Sequence, residues 1–186
     1  YPLALYIDYY DLYLRPDSSR LAEVQGFVEQ DKQGLLAGRL KARYLRLLAD
    51  EQKWTAYLQL ANGEPRSLGL RCQYYLARWA NGEQEVAYRF ADDIWMHAGS
   101  RPGECSALFT QWKLAGRMTQ EKIWQRMQLV FPTRDSRSML AYLQKELSGS
   151  AEQLAADRLV QLYDTPERLL EILPTTAGID SAQMAT

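Results

Sequence analysis

The sequence predicts an all-α fold of antiparallel helix-hairpin repeats that stack into a superhelical, α-solenoid (TPR-like) arc. Three observations carry that expectation. Apolar residues recur at three- and four-residue steps, helix breakers fall between those runs, and the breakers themselves recur at a near-constant interval.

The apolar stripes are explicit. Leu36, Leu40, Tyr44 and Leu47/Leu48 form one, and Cys72, Tyr75, Leu76 and Trp79 form a second. Val86, Phe90, Ile94 and Trp95 form a third, and Leu108, Phe109 and Trp112 a fourth. Strand-like alternation bounded by turn signals is missing. Pro2, Pro16, Pro65, Pro102, Pro132, Pro166 and Pro174 divide the chain into segments of helical length. The expected helices are 2–14, 19–30, 34–49, 52–61, 67–81, 84–98, 104–115, 120–131, 136–148, 151–163 and 166–172. Start signals are Ser19 ahead of Glu23, Thr119 ahead of Glu121, and Thr165 before Pro166-Glu167.

Stop signals are glycines. Gly82, Gly116 and Gly149 each follow a periodic run and lie 34 and 33 residues apart. The turn around Asp50 lies 32 residues before Gly82. A period near 33 with two helices per period describes a helical-hairpin array, in which no helix buries its apolar side alone. A strict tetratricopeptide consensus is absent. The expected organisation is one helical-repeat domain over residues 1–173, with 174–186 as a small polar tail or the start of the next element.

Composition limits the function. The chain has 186 residues, 47% of them hydrophobic, so a sizeable core is available. Lys and Arg number 22 against 23 Asp and Glu, a net charge of −1 that gives no pull toward nucleic acid. No window approaches 18 consecutive apolar residues, so no membrane span is expected. The start at Tyr1-Pro2-Leu3, with neither an initiator Met nor a signal-peptide pattern, is that of a trimmed or processed piece.

Cys72 and Cys105 are 33 residues apart, one repeat period. Equivalent positions in successive repeats lie on adjacent helices, close enough for a disulfide that restricts the unfolded chain by roughly 3–4 kcal/mol. Such a bridge implies an oxidising compartment. Two buried free thiols acting as small hydrophobes are the other reading.

No reaction centre is legible. His97 is the only histidine and follows Trp95-Met96 at an expected helix end, where a cationic imidazole complements the backbone dipole. No nucleophile motif accompanies it. One histidine and two distant cysteines make no metal site, and no phosphate-binding loop follows a strand, so no cofactor is expected. The acids Asp92-Asp93 and Glu83/Glu85 fall on polar faces or in first turns rather than as an opposed catalytic pair. Arg39, Arg43 and Arg46 form a basic stripe at helical spacing. A solvated face is the ordinary explanation, and the alternative is a contact surface for an anionic polymer or acidic partner. Tyr6, Tyr9, Tyr10, Tyr13, Tyr74, Tyr75 and Trp79 either pack between helices or stack on sugar rings, and their intervals favour packing.

The stretch Cys72-Gln73-Tyr74-Tyr75-Leu76-Ala77-Arg78-Trp79-Ala80-Asn81-Gly82 resembles the N-terminal superhelical, U-shaped domain of the periplasmic soluble lytic murein transglycosylases. Ile94-Trp95, Ser100-Arg101-Pro102, Cys105, Leu108-Phe109 and Trp112 extend the resemblance. So do the opening Tyr1-Pro2-Leu3 with Tyr6 and Tyr9, and Arg43-Tyr44-Leu45 with Leu47-Leu48-Ala49 and Trp54. The likeness is best over residues 1–130.

What the resemblance implies is specific. The family's enzymes cleave the MurNAc–GlcNAc bond of peptidoglycan without water, leaving a 1,6-anhydro end. Their single catalytic glutamate lies in a C-terminal lysozyme-like domain, within a Glu-Ser motif followed by Gly-Leu-Met-Gln. Neither motif occurs in this chain. The segment would be a non-catalytic module of a ring around the glycan strand, completed by further helices, a linker domain and the catalytic domain. The resemblance also implies the Cys72–Cys105 bridge and a periplasmic address, because the family joins its matching cysteines. The family's helical domain is much longer, so this chain would be a shortened piece whose C-terminal face exposes apolar surface. The competing function is a TPR-like adaptor that binds a protein or peptide.

Overall fold

The computed structural model describes residues 2–31, 34–133 and 136–168. Among them there is no β-strand, and ten α-helices follow one another in the order α1 (Pro2–Leu14), α2 (Leu21–Gln30), α3 (Leu35–Asp50), α4 (Trp54–Ala61), α5 (Leu68–Ala80), α6 (Gln84–Trp95), α7 (Ser106–Leu114), α8 (Gln120–Val130), α9 (Arg137–Glu146) and α10 (Ser150–Asp164). The described part of the expected helix 166–172 is a single 3-10 turn, Pro166–Arg168. The expected segments 169–172 and 174–186 lie outside the described residues.

Two compact units are present. The first holds residues 1–95 and 101–117, and the second holds 96–100 and 118–186. In the first unit each helix packs on its sequence neighbour, and α1 on α3, α3 on α5 and α5 on α7. Odd-numbered helices thus form one layer of a hairpin stack, with α2, α4 and α6 against it. The core follows the predicted stripes: Leu40, Tyr44 and Leu48 on α3 are fully buried, with Tyr57 on α4 and Trp112 on α7. Burying each leucine stabilises the fold by about 2 kcal/mol.

Aromatic side chains with a polar tip tie the helices to their neighbours. Tyr44 Oη donates to the Leu12 carbonyl at 3.2 Å, and Tyr57 Oη to the Leu70 carbonyl at 2.8 Å. Burial pushes the pKa of the Tyr57 phenol well above its ordinary range, so it keeps its proton and remains a donor. Trp79 Nε1 donates to Tyr88 Oη at 3.0 Å, and Trp112 Nε1 to Asp92 Oδ1 at 3.0 Å. Such tips satisfy polar atoms that large rings carry into the core.

The repeat is visible in hydrogen bonds as well as in helix count. After α3 the amide of Gln52 donates to Ala49 and that of Lys53 to Leu48. After α5, Gly82 donates to Trp79 and Glu83 to Arg78; after α7, Gly116 donates to Lys113 and Arg117 to Trp112. This Schellman pair caps three successive odd-numbered helices in the same way. Its left-handed position is Gly82 at φ 94° and Gly116 at φ 71°, but Gln52 at φ 56°. A glutamine there explains why the first turn shows no glycine in the sequence.

The second unit is built from α8, α9 and α10, with Ile123, Met127, Leu140 and Leu143 fully buried. Its 96–100 segment is held by Arg126 of α8, only 3% exposed, which donates to the carbonyls of His97 at 3.2 Å and Gly99 at 3.4 Å. A buried arginine gives no apolar periodicity, so the sequence carries no local signal for it.

Three local expectations are corrected. Helix α6 ends at Trp95, not residue 98, so His97 lies in the following turn, exposed, with Nδ1 accepting from the Gly99 amide at 2.9 Å. That nitrogen serves the turn rather than a helix terminus. Thr165 does not cap a following helix, since its hydroxyl donates back to the Gln161 carbonyl at 2.8 Å. Asp17, rather than Ser19, caps the turn before α2, its carboxylate accepting from the Ser19 amide at 2.8 Å. Among the described residues, apolar side chains are exposed on α9 and α10 (Tyr142, Leu154) and in a stripe on α1: Leu3, Tyr6, Ile7, Tyr10 and Leu14. Helix α1 is apolar on both faces, and only the face with Tyr9 and Leu12 meets the core.

The shared cap geometry predicts opposite outcomes for two substitutions. Gln52→Gly should stabilise the chain by about 0.5–1 kcal/mol, and Gly82→Ala should destabilise it by about 1 kcal/mol, in urea-melt comparisons.

Candidate functional site

The structure gathers all three stripe arginines in one groove. Spaced four and three residues apart on α3, Arg39, Arg43 and Arg46 line a cleft of about 380 Å3 with Tyr13, Pro16, Ala42, Leu47 and Asp50. Asp50 is the one acidic side chain in that lining, so cationic charge prevails. The three arginines are not equivalent. Arg43 is half-buried, its guanidinium carbon 4.6 Å from the centroid of the Tyr13 ring. Its Nε is buried with no hydrogen-bond partner, so part of this side chain serves packing between α1 and α3. Arg39 and Arg46 are exposed, and Arg46 makes one long bond, at 3.4 Å, to the Ala42 carbonyl of its own helix.

A second groove adjoins the first at Asp50. It measures about 460 Å3 and runs from the α3–α4 turn across α5 to the start of α7. Its walls include Asp50, Gln52, Trp54, Gln73, Leu76, Trp79, Glu104 and Gln111. Gln73 is 8% exposed, and its Oε1 is buried without a hydrogen-bond partner. Trp54 and Trp79 are half-buried at the groove. Gln73 stands three residues from Leu70 and Leu76 on the core face of α5, and a polar residue inside an apolar stripe was the signal available in the sequence.

Cys72 and Cys105 are joined by a disulfide, with 4.8 Å between their Cα atoms. The bridge links α5 to the 3-10 turn Gly103–Cys105 that leads into α7, beside the second groove. Three of the four acids considered for catalysis have structural partners. Glu83 pairs with Arg78, which holds its carboxyl below the ordinary range, and Glu85 pairs with Arg117. Asp92 accepts from Trp112. Among the described residues no group of three His, Cys, Asp or Glu side chains is placed to hold a metal ion, and no helix is long and apolar enough to cross a membrane. The tyrosines divide: Tyr9 is buried and Tyr75 stacks on Phe90 at 4.0 Å, whereas Tyr6 and Tyr10 are exposed.

Comparison with known proteins bears on this arrangement. No family profile matches the sequence. The soluble lytic murein transglycosylases of Salmonella typhimurium strain LT2 and Escherichia coli K12 are each 25% identical to it over all 186 residues. The chain is homologous to the soluble lytic murein transglycosylases. It spans 28% of the length of those relatives. The crystal structure of the 70-kDa soluble lytic transglycosylase from Escherichia coli superposes with a TM-score of 0.81, at 24% identity, over 97% of this chain and 29% of that one. An inactive mutant of the lytic transglycosylase Slt from Pseudomonas aeruginosa superposes with a TM-score of 0.74, at 28% identity, over 92% of this chain and 27% of that one. The likeness therefore continues past residue 130, where the sequence resemblance had faded, and the helical-repeat fold class is that of the homologues.

The unequal surroundings of the arginines predict unequal costs. Arg43→Ala should lower unfolding stability by about 1 kcal/mol through lost contact with Tyr13, while Arg39→Ala and Arg46→Ala should stay within about 0.5 kcal/mol of wild type in denaturant titrations.

Proposed function

We propose that this chain is the non-catalytic helical module of a periplasmic peptidoglycan lytic transglycosylase. In this reading both units belong to one helical-repeat domain spanning residues 1–173. Its role is to shape a ring that accommodates glycan strands, while a catalytic glutamate carried elsewhere in the parent protein cleaves MurNAc–GlcNAc bonds to 1,6-anhydro products. The observation that carries the proposal is homology along the entire chain to proteins named for acting on murein. The likeness to a relative crystallised with bulgecin A is of the same kind.

Chemistry on the chain supports the reading. A disulfide suits an oxidising compartment such as the periplasm. Glu83, Glu85 and Asp92 are held by arginine and tryptophan partners rather than facing one another as an acid–base pair. Arg39 and Arg46 present exposed cationic heads for the carboxylates that peptidoglycan carries, with Arg43 fixing the groove wall. The TPR-like adaptor is the less favoured function, because homology runs to wall-active enzymes.

Sedimentation with purified peptidoglycan sacculi tests the proposal. The 186-residue chain should pellet with sacculi and release no anhydro-muropeptides, and the double variant Arg39→Glu/Arg46→Glu should pellet several-fold less at low salt. A chain that stays in the supernatant under all salt conditions contradicts the module, and anhydro product formed by the chain alone contradicts its inactivity.

A further inference from the structure

We propose that Asn62 is a site of spontaneous deamidation in the folded chain, whereas Asn81, set in the same tetrapeptide, is held back by its hydrogen bonds.

The chain has two asparagines, and both precede a glycine. Each sits in the sequence Ala-Asn-Gly-Glu, at residues 61–64 and 80–83. Glycine carries no side chain to hinder its own amide, so either pair is chemically suited to cyclise. Because the local sequence is identical, a difference in rate between the two belongs to the fold. Exposure does not separate them, since both asparagines and both glycines lie at the surface.

Hydrogen bonding does. Asn62 follows α4 in the left-handed region, at φ 45° and ψ 54°, and its own amide donates to the Leu58 carbonyl. Among the described residues, no hydrogen bond reaches its carboxamide or the amide of Gly63. Asn81, after α5, is pinned at all three of the corresponding atoms. Its Nδ2 donates to the Ala77 carbonyl at 2.8 Å, and its Oδ1 accepts from the Thr55 hydroxyl at 3.2 Å. The Gly82 amide donates to the Trp79 carbonyl at 3.1 Å.

These groups are the ones the reaction moves. The glycine nitrogen loses its proton and bonds to the asparagine Cγ, while the Cγ–Nδ2 bond breaks and the side-chain nitrogen leaves as ammonia. One water then opens the cyclic imide. Cleavage at Cγ gives aspartate, and cleavage at the main-chain carbonyl gives isoaspartate, whose backbone runs through Cβ. The balance is one water consumed and one ammonia released. At Asn62 the nitrogen and the carbonyl carbon need only rotate toward each other. At Asn81 three hydrogen bonds must break first, which slows the folded rate by about tenfold or more. The new carboxylate lies just past the C-terminal end of α4, next in the chain to Ala61, whose carbonyl accepts from Lys41 Nζ at 2.7 Å.

Ageing the 186-residue chain at mildly alkaline pH, followed by tryptic digestion and mass spectrometry with isoaspartate detection, tests the proposal. Tryptic peptides 54–66 and 79–89 carry the two asparagines separately. In the folded chain Asn62 should convert at least about tenfold faster than Asn81, and in urea the two rates should become equal. Thr55→Ala, at an exposed position, should speed Asn81 several-fold in the folded chain and leave Asn62 unchanged. Equal rates in the folded chain, or a faster Asn81, overturn the proposal. So does an Asn62 that stays intact in the folded chain for as long as the unfolded chain needs to convert. A folded Thr55→Ala chain with an unmoved Asn81 rate overturns the hydrogen-bond cause.

Discussion

The packing of every second helix is the constraint on which the first unit depends. A two-helix hairpin of this length leaves one apolar side uncovered, and here the next hairpin covers it: α1 meets α3, α3 meets α5 and α5 meets α7. The same junctions carry the polar restraints. Tyr44 reaches from α3 to α1, and the Cys72–Cys105 bridge ties α5 to the approach of α7. Register between hairpins is set by these directional links as well as by apolar area, because area alone tolerates sliding. The groove walls follow from that register, since each groove is bounded by residues from different hairpins.

This arrangement makes a binding surface easier to build than a reaction centre. Acids of α6 find arginine or indole partners on α7 or in the turn that follows it, as Asp92 does with Trp112 and Glu85 with Arg117. What remains available are the clefts along the α3 end of the stack, one cationic and one rich in aromatic and amide groups.

Much of the fold was legible because its signals are local and periodic. Leu40, Tyr44 and Leu48 mark the buried face of α3 by spacing alone, and Gly82 and Gly116 mark left-handed caps because glycine occupies that conformation at little cost. Features that break the local rule were hidden. Gln52 adopts the left-handed cap that its neighbours give to glycine, and Arg126 is buried because backbone carbonyls distant in sequence accept its protons. The exposed stripe on α1 was also obscured, since a helix apolar on two faces reads as buried. The arginine cluster was visible as a stripe on α3, but Tyr13, which turns Arg43 into a wall of the groove, comes from α1. The second groove needed coordinates, because Trp54, Gln73, Glu104 and Gln111 meet only when α4, α5 and α7 stack.

Native-state hydrogen exchange before and after reduction of the Cys72–Cys105 disulfide tests nearest-neighbour stacking most directly. The account predicts that reduction accelerates exchange in α5 and α7 most and in α6 less, with α2 and its contacts to α3 close to their oxidised protection. A uniform loss of protection from α1 to α10, in a single cooperative step, would contradict it.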